Sequence, residues 1–225
     1  MFKLKSNSLA VVGIIFVSLS FFPIYASCEE TVNYTQTIEV LRELYKGEMT
    51  ASRNYSEYAN KANLEGYDNI AHLFEALKAS ETIHARNFKN ILIDLGVEVK
   101  ELPELEVEAL NTKGNLKQAL KVELSEIDES YPLYVDKIGG ENHEEAINIL
   151  TYAWKAEQQH RDLIKKMQSA SGLFFGKIEK KLEEADDYFI CQRCGSTLRE
   201  FPEKVCPICS VSAVKYEKVS KGELE

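Results

Sequence analysis

The sequence predicts a mainly α chain, a four-helix bundle followed by a small module built on metal knuckles. Three observations carry this. From Thr35 to about Ala170 the apolar residues recur with a helical period. Glycine and proline are scarce, 11 and 5 among 225 residues, which disfavours a turn-rich all-β fold. Four of the five cysteines lie between residues 191 and 209, in two C-x-x-C pairs. The 44% apolar and 28% charged content is that of a globular chain. Acids outnumber bases 36 to 27, a formal net charge of −9, which excludes a general nucleic-acid binder and a polybasic membrane-surface protein. Five cysteines are too few for a disulfide scaffold of this length.

Residues 1–28 read as a signal peptide or membrane anchor. Lys3 and Lys5 precede an apolar run from Leu9 to Ala26, and the small residues Ala26 and Ser27 lead to Cys28. The expected location is therefore outside the cytoplasm, periplasmic or membrane-anchored. Cys28 resembles the acylated cysteine of bacterial lipoproteins, although Tyr25 stands where such signals usually carry Leu.

Residues 33–172 are expected to form the bundle. The first helical stripe holds Ile38, Leu41, Tyr45, Glu48, Tyr55, Ala59 and Ala62 and ends at Gly66. The second runs through Ile70, Leu73, Phe74, Leu77, Glu81, His84, Phe88, Ile91 and Leu95 to Gly96. The third has Leu116, Ala119, Leu120, Glu123, Glu126, Ile127, Leu133 and Ile138 before Gly139 and Gly140. The fourth has Ala146, Ile149, Leu150, Ala153, Glu157, His160, Ile164 and Met167. The longest connection, residues 97–112, serves as the crossover between two helical hairpins.

Acids on these apolar stripes are the anomaly. An unpaired buried carboxylate costs several kcal/mol or takes up a proton, and bound cations are the natural compensation. Carboxylate oxygens with two imidazoles suit iron or manganese better than thiophilic metals. Glu81-x-x-His84 and Glu157-x-x-His160 each place Glu and His on one helix face. Each has a Glu one helix upstream, Glu48 at 33 residues and Glu123 at 34. The chain thus contains a duplication, and its donor set is that of di-iron carboxylate bundles. His72 and His143 lack the pattern and are expected at or near the surface.

Residues 173–187 read as a linker or helix extension, and residues 188–218 as the second metal site. Cys191, Cys194, Cys206 and Cys209 follow the spacing C-x2-C-x11-C-x2-C, two knuckles that make a tetrahedral thiolate cage. So short a segment cannot bury a sufficient core, so the metal supplies folding free energy. The donor set suits zinc and iron alike. Tyr188, Phe189 and Phe201 are candidates for its aromatic shell.

Taken together, Glu48-Met-Thr-Ala-Ser-Arg-Asn-Tyr55, Glu81-x-x-His84, Glu123-x-x-Glu126, Tyr131-Pro132, Glu157-x-x-His160 and the cysteine pairs resemble the rubrerythrins over about residues 35–215. That resemblance implies a ferritin-like di-iron bundle followed by a rubredoxin-like FeS4 domain. It implies that Glu81 and Glu157 bridge the irons, that Glu48 is terminal on the first, and that Glu123 and His160 are terminal on the second. Glu126 and His84 would exchange as ligands of one iron, Glu126 in the oxidised site and His84 in the reduced one. Tyr55 and Tyr131 would hydrogen-bond the ligands. It further implies iron rather than zinc in the cage, reduction of hydrogen peroxide to water, and an antiparallel homodimer that sets one subunit's FeS4 near the other's di-iron site. A ferroxidase or a metal-binding module with a structural zinc ribbon are the alternatives. Export removes the protein from NAD(P)H, so a redox protein is the expected donor. One departure is Ser210, where second knuckles usually carry Gly to reach φ > 0.

Overall fold

The computed structural model describes residues 33–100, 102–103, 107–171 and 187–219. The signal or anchor segment with Cys28, most of the linker, and part of the crossover lie outside the described residues. Among the described residues no helix is long and apolar enough to cross a membrane.

Helix α1 spans Thr35–Leu64 and α2 spans Asp68–Asp94. They are joined by a tight turn in which Gly66 takes φ +79°, a left-handed conformation that glycine adopts without a Cβ penalty. After the crossover, α3 runs Thr112–Ser125, with the Asn111 side chain capping Gly114 N. The third helix predicted from the sequence is not one regular helix. A π turn over Glu126–Ser130 separates α3 from α4, Tyr131–Gly139. Helix α5 spans Glu144–Ser171. The first turn of α1 is held by the far end of the bundle. Glu141 accepts from Gln36 N and Thr37 N, both at 2.8 Å, which satisfies two of the free N–H groups of a helix start.

The apolar interior has two parts. One contains Tyr55, Ala59, Phe74, Leu77, Leu116, Ala119 and Ile164. The other contains Leu41, Phe88, Leu92, Tyr131, Ile138, Leu150 and Ala153. Along every helix the charged stripe residues fall between these two sets, so the acids form a polar layer across the middle of the bundle. Leu133, expected on the third stripe, does not face the core and is 62% exposed. It lies two residues beyond buried Tyr131 in α4, roughly 200° around a helix, which turns it to solvent.

The C-terminal module is a three-stranded antiparallel sheet in the order β2–β1–β3. Strand β1 is Tyr188–Cys191, β2 is Thr197–Leu198 and β3 is Tyr216–Val219. Tyr188 and Ile190 of β1 join the first apolar part of the bundle. This contact corrects the expectation of His72 as a surface residue. His72 is 3% exposed, its Nε2 lies 3.0 Å from Val219 O, and its ring meets Tyr188 edge-on at 5.0 Å. The module covers it, and helix periodicity alone carries no sign of that. His143 is near the surface, as expected.

Candidate metal centres

The polar layer brings together Glu48 from α1, Glu81 and His84 from α2, Glu123 from α3, and Glu157 and His160 from α5, all buried. They form two groups, Glu48–Glu81–His84–Glu157 and Glu81–Glu123–Glu157–His160, each with ligand atoms within 4.8 Å of one another. Glu81 and Glu157 belong to both. Glu81 turns Oε2 to His84 Nδ1 at 2.9 Å and Oε1 to His160 Nδ1 at 3.1 Å. Glu157 turns Oε1 to His84 Nδ1 at 3.0 Å and Oε2 to His160 Nδ1 at 2.7 Å. Each carboxylate therefore faces both halves of the site, as a bridging ligand does. The terminal acids are held from the opposite half of the bundle. Tyr55 Oη donates to Glu123 Oε1 at 2.5 Å, and Tyr131 Oη donates to Glu48 Oε1 at 2.7 Å.

The electrostatics ask for cations. Burial, then the Glu157 and Glu81 charges, raises the Glu48 carboxyl well above its ordinary range. Burial and Glu157 do the same to Glu123. Burial lowers the two imidazoles, but the Glu157 and Glu81 carboxylates outweigh it and raise both His84 and His160. Glu157, also disfavoured by burial, is held below the carboxylate range by the two imidazoles it touches. His160 Nδ1, Glu157 Oε2 and Glu123 Oε2 are buried with no hydrogen-bond partner among the described residues, although His160 Nδ1 and Glu157 Oε2 are only 2.7 Å apart. So many carboxylate oxygens and imidazole nitrogens converging in a buried layer, some of them without a partner, are what bound cations would satisfy. The donor set, carboxylates with two imidazoles, fits two iron ions.

Glu126 stands apart from both groups. It is half-buried at the start of the π turn, and burial followed by Glu157 and Glu81 raises its carboxyl. His84, rather than Glu126, completes the first group here.

In the C-terminal module the four cysteines converge. Cys191 Sγ lies 3.7 Å from Cys209 Sγ, and Cys194 Sγ lies 3.6 Å from Cys206 Sγ. A tetrahedron with sulfur about 2.3 Å from its centre has edges of about 3.8 Å, so the cage fits one metal ion. Hydrogen bonds from the Cys191 and Cys194 thiols lower Cys206 towards the thiolate, while Cys191 and Cys206 hold Cys194 up. The knuckle turns have φ +78° at Gly195 and φ 58° at Ser210, so the serine does occupy the glycine-type conformation. Phe189 and Phe201 pack edge-on at 5.5 Å, and Phe201 faces Tyr216. Tyr188 instead faces the bundle.

The two centres meet. His84 Nε2 lies 3.1 Å from Cys194 O, and His160 Nε2 lies 3.2 Å from Thr197 Oγ1. Ser80 Oγ and Thr197 Oγ1 both donate to Gly195 O, at 2.6 and 3.0 Å. A Cβ at position 195 would collide with His84 Nε2 and Ser80 Oγ, so only glycine allows this approach. Arg86 and Asn87 hold the carbonyls of Gln192 and Arg193. These contacts are made by the module of the same chain. Ser80, Thr197 and Trp154, whose Nε1 donates to Ile127 O inside the π turn at 3.0 Å, were not singled out by the sequence. Only their tertiary partners give them a role.

The rubrerythrin family profile matches residues 39–168. The chain belongs to the rubrerythrin family. Rubrerythrin-2 of Clostridium acetobutylicum is 30% identical over 187 residues, 83% of this chain and 98% of that protein. Nigerythrin of Nitratidesulfovibrio vulgaris is 26% identical over 173 residues, 77% of this chain and 81% of that one. The fully reduced, all-ferrous nigerythrin structure superposes with a TM-score of 0.70 at 22% identity, covering 86% of this chain and 91% of that one, a likeness of fold. This member of the family is thus a ferritin-like di-iron protein with one further iron in a rubredoxin-like four-cysteine site.

Proposed function

We propose that this protein reduces hydrogen peroxide, H2O2 + 2H+ + 2e− → 2H2O, with electrons passed from the four-cysteine iron to the di-iron site. The observation that carries it is the 3.1 Å contact of His84 Nε2 with Cys194 O, one hydrogen bond between the cages. Bound iron supplies the two electrons and the Lewis acidity. Glu81 and Glu157 set the spacing of the two metal positions. Tyr55 and Tyr131 aim Glu123 and Glu48. Their phenols are raised, first by burial and then by the carboxylates they touch, so both keep their protons and stay donors. Glu126, at the edge of the first group, is the candidate to replace His84 when that site is oxidised.

The test is rapid mixing of the reduced, iron-loaded protein with peroxide. The visible absorption of the ferric four-cysteine site should appear after, and because of, di-iron oxidation. In Cys194→Ser the bundle should be oxidised without turnover. Oxidation of added Fe(II) far beyond the resident irons, with no gain from the electron of the four-cysteine site, would establish the ferroxidase reading instead. The Lys3–Cys28 segment supports an exported protein served by a redox-protein donor. Fractionation with mass spectrometry of the mature N-terminus tests this, and a cytoplasmic protein with an intact Met1 would overturn it. A homodimer is proposed from the resemblance, and sedimentation measures it.

A further inference from the structure

The four-cysteine cage has a hydrogen bond that its knuckle backbone does not supply. Ile208 N meets Cys206 Sγ at 3.4 Å, a backbone contact within the second knuckle. In addition, the Tyr216 hydroxyl lies 3.1 Å from the same sulfur. Tyr216 is buried, pairs with Cys191 across β1 and β3, and packs in the cluster of the four cysteines, so its ring is fixed beside the cage. The same hydroxyl lies 2.9 Å from Ser196 Oγ. Ser196 has spent its own proton, donating to Gln159 Oε1 at 3.1 Å, an oxygen that also accepts from Thr197 N at 3.0 Å. Ser196 Oγ is therefore an acceptor towards Tyr216. One phenol proton faces two acceptors, a metal-bound thiolate and a serine oxygen fixed from the bundle.

We propose that Tyr216 sets the reduction potential of the four-cysteine iron by turning its hydroxyl between Cys206 Sγ in the reduced site and Ser196 Oγ in the oxidised one. Reduction adds one electron, from a one-electron donor, to a cage of four thiolates, taking its net charge from −1 with ferric iron to −2 with ferrous. No O–H bond breaks and only the hydrogen bond is re-aimed. A donor beside sulfur favours the more negative state and so raises the potential. Ser196 favours the oxidised state by accepting the same proton, and so opposes it. Tyr216 and Ser196 are positioning residues with effects of opposite sign. The inference rests on iron in the four-cysteine site and not on the peroxidase reading, so its test needs no turnover.

The test is a spectroelectrochemical titration of the visible absorption of that site in the full-length iron-loaded protein. Tyr216→Phe should lower the equilibrium constant for reduction about tenfold, about 59 mV for one electron. Ser196→Ala should raise it about threefold, roughly 28 mV. In the double variant Ser196→Ala should add nothing to Tyr216→Phe, because the serine acts through the phenol. The iron–sulfur stretching frequencies should shift in deuterated water, and part of that shift should vanish in Tyr216→Phe. An unchanged potential in Tyr216→Phe with a normal spectrum would overturn the proposal, as would shifts of the same sign in both single variants. If Tyr216→Phe fails to hold iron, Ser196→Ala decides, with a rise in support and a fall or no change against.

Discussion

In the first half of the bundle Tyr55 follows Glu48 by seven residues; in the second, Tyr131 follows Glu123 by eight. The two tyrosines nevertheless do the same work, each donating to the other half's terminal glutamate. The additional residue is taken up by the π turn over Glu126–Ser130, which has no counterpart in the unbroken α1. Where the second half carries Glu126, three residues past its terminal glutamate, the first half carries Ala51. A near-symmetric metal cage is thus built on an asymmetric backbone. The irregular half carries Glu126, a carboxylate that joins neither ligand group but feels the charges of Glu157 and Glu81, and π turns are frequent at functional sites.

Removing a shared ligand should break both halves at once. Glu81→Ala or Glu157→Ala is expected to take the iron content from about three per chain to about one, leaving the four-cysteine iron. Glu48→Ala or Glu123→Ala should release the iron of its own half first. Metal analysis after gel filtration measures both. Glu126→Ala sharpens the comparison. All irons should stay bound while peroxide turnover falls about 10-fold or more, the scale of a lost tuning contact. Ala51→Glu should not reproduce the effect of Glu126, because α1 has no irregular turn to place it.

The metal-free bundle should show an inverted pH response. Glu48, Glu123 and Glu126 are raised above their ordinary 4.5 and the imidazoles above their ordinary 6.5, so the folded chain holds these protons more tightly than the unfolded one. That stability is complete in acid and is lost as pH rises past about 4.5 and again past about 6.5. Glu157 acts in the opposite sense, its contribution being present above its ordinary 4.5 and lost in acid. Thermal melts of chelated protein should fall from pH 5 to pH 8. Those of iron-loaded protein should not, since ligands bind metal deprotonated.

Two smaller effects concern the irregular backbone. Trp154→Phe leaves Ile127 O without its donor and should cost about 1 kcal/mol, read by denaturant unfolding, with a larger proportional loss of turnover than of stability. The two knuckles offer the same contrast as the two halves. Gly195 and Ser210 occupy equivalent turns, with the N–H of each bonded to the first cysteine of its knuckle. Ser210→Gly should relieve about 1–2 kcal/mol of left-handed strain, offset in part by the greater entropy glycine loses on folding, seen as slower release of the knuckle-bound metal to a chelator.

The bundle, its ligands and the cage were legible in the sequence because each is written locally. Helical period fixes which residues share a stripe, and E-x-x-H and C-x-x-C fix which donors share a turn. The π turn was not legible, since Glu126 and Ile127 suit an ordinary helix and only the one-residue excess before Tyr131 marks it. His72, Ser80 and Thr197 were missed for another reason. Their roles depend on contacts between the bundle and the C-terminal module, 37 to 147 residues apart in the chain, which no periodicity encodes.

Both ligand imidazoles place Nε2 on the C-terminal module, His84 against a carbonyl and His160 against a hydroxyl. Metal loading and module docking are therefore linked equilibria, and linkage is reciprocal. Whatever factor the docked module adds to the affinity of the bundle for iron, bound iron returns to the docking constant. Under the relay proposed above, a bundle starved of iron would hold its electron-carrying module less tightly, closing the pathway for reducing equivalents as the site that would consume them empties.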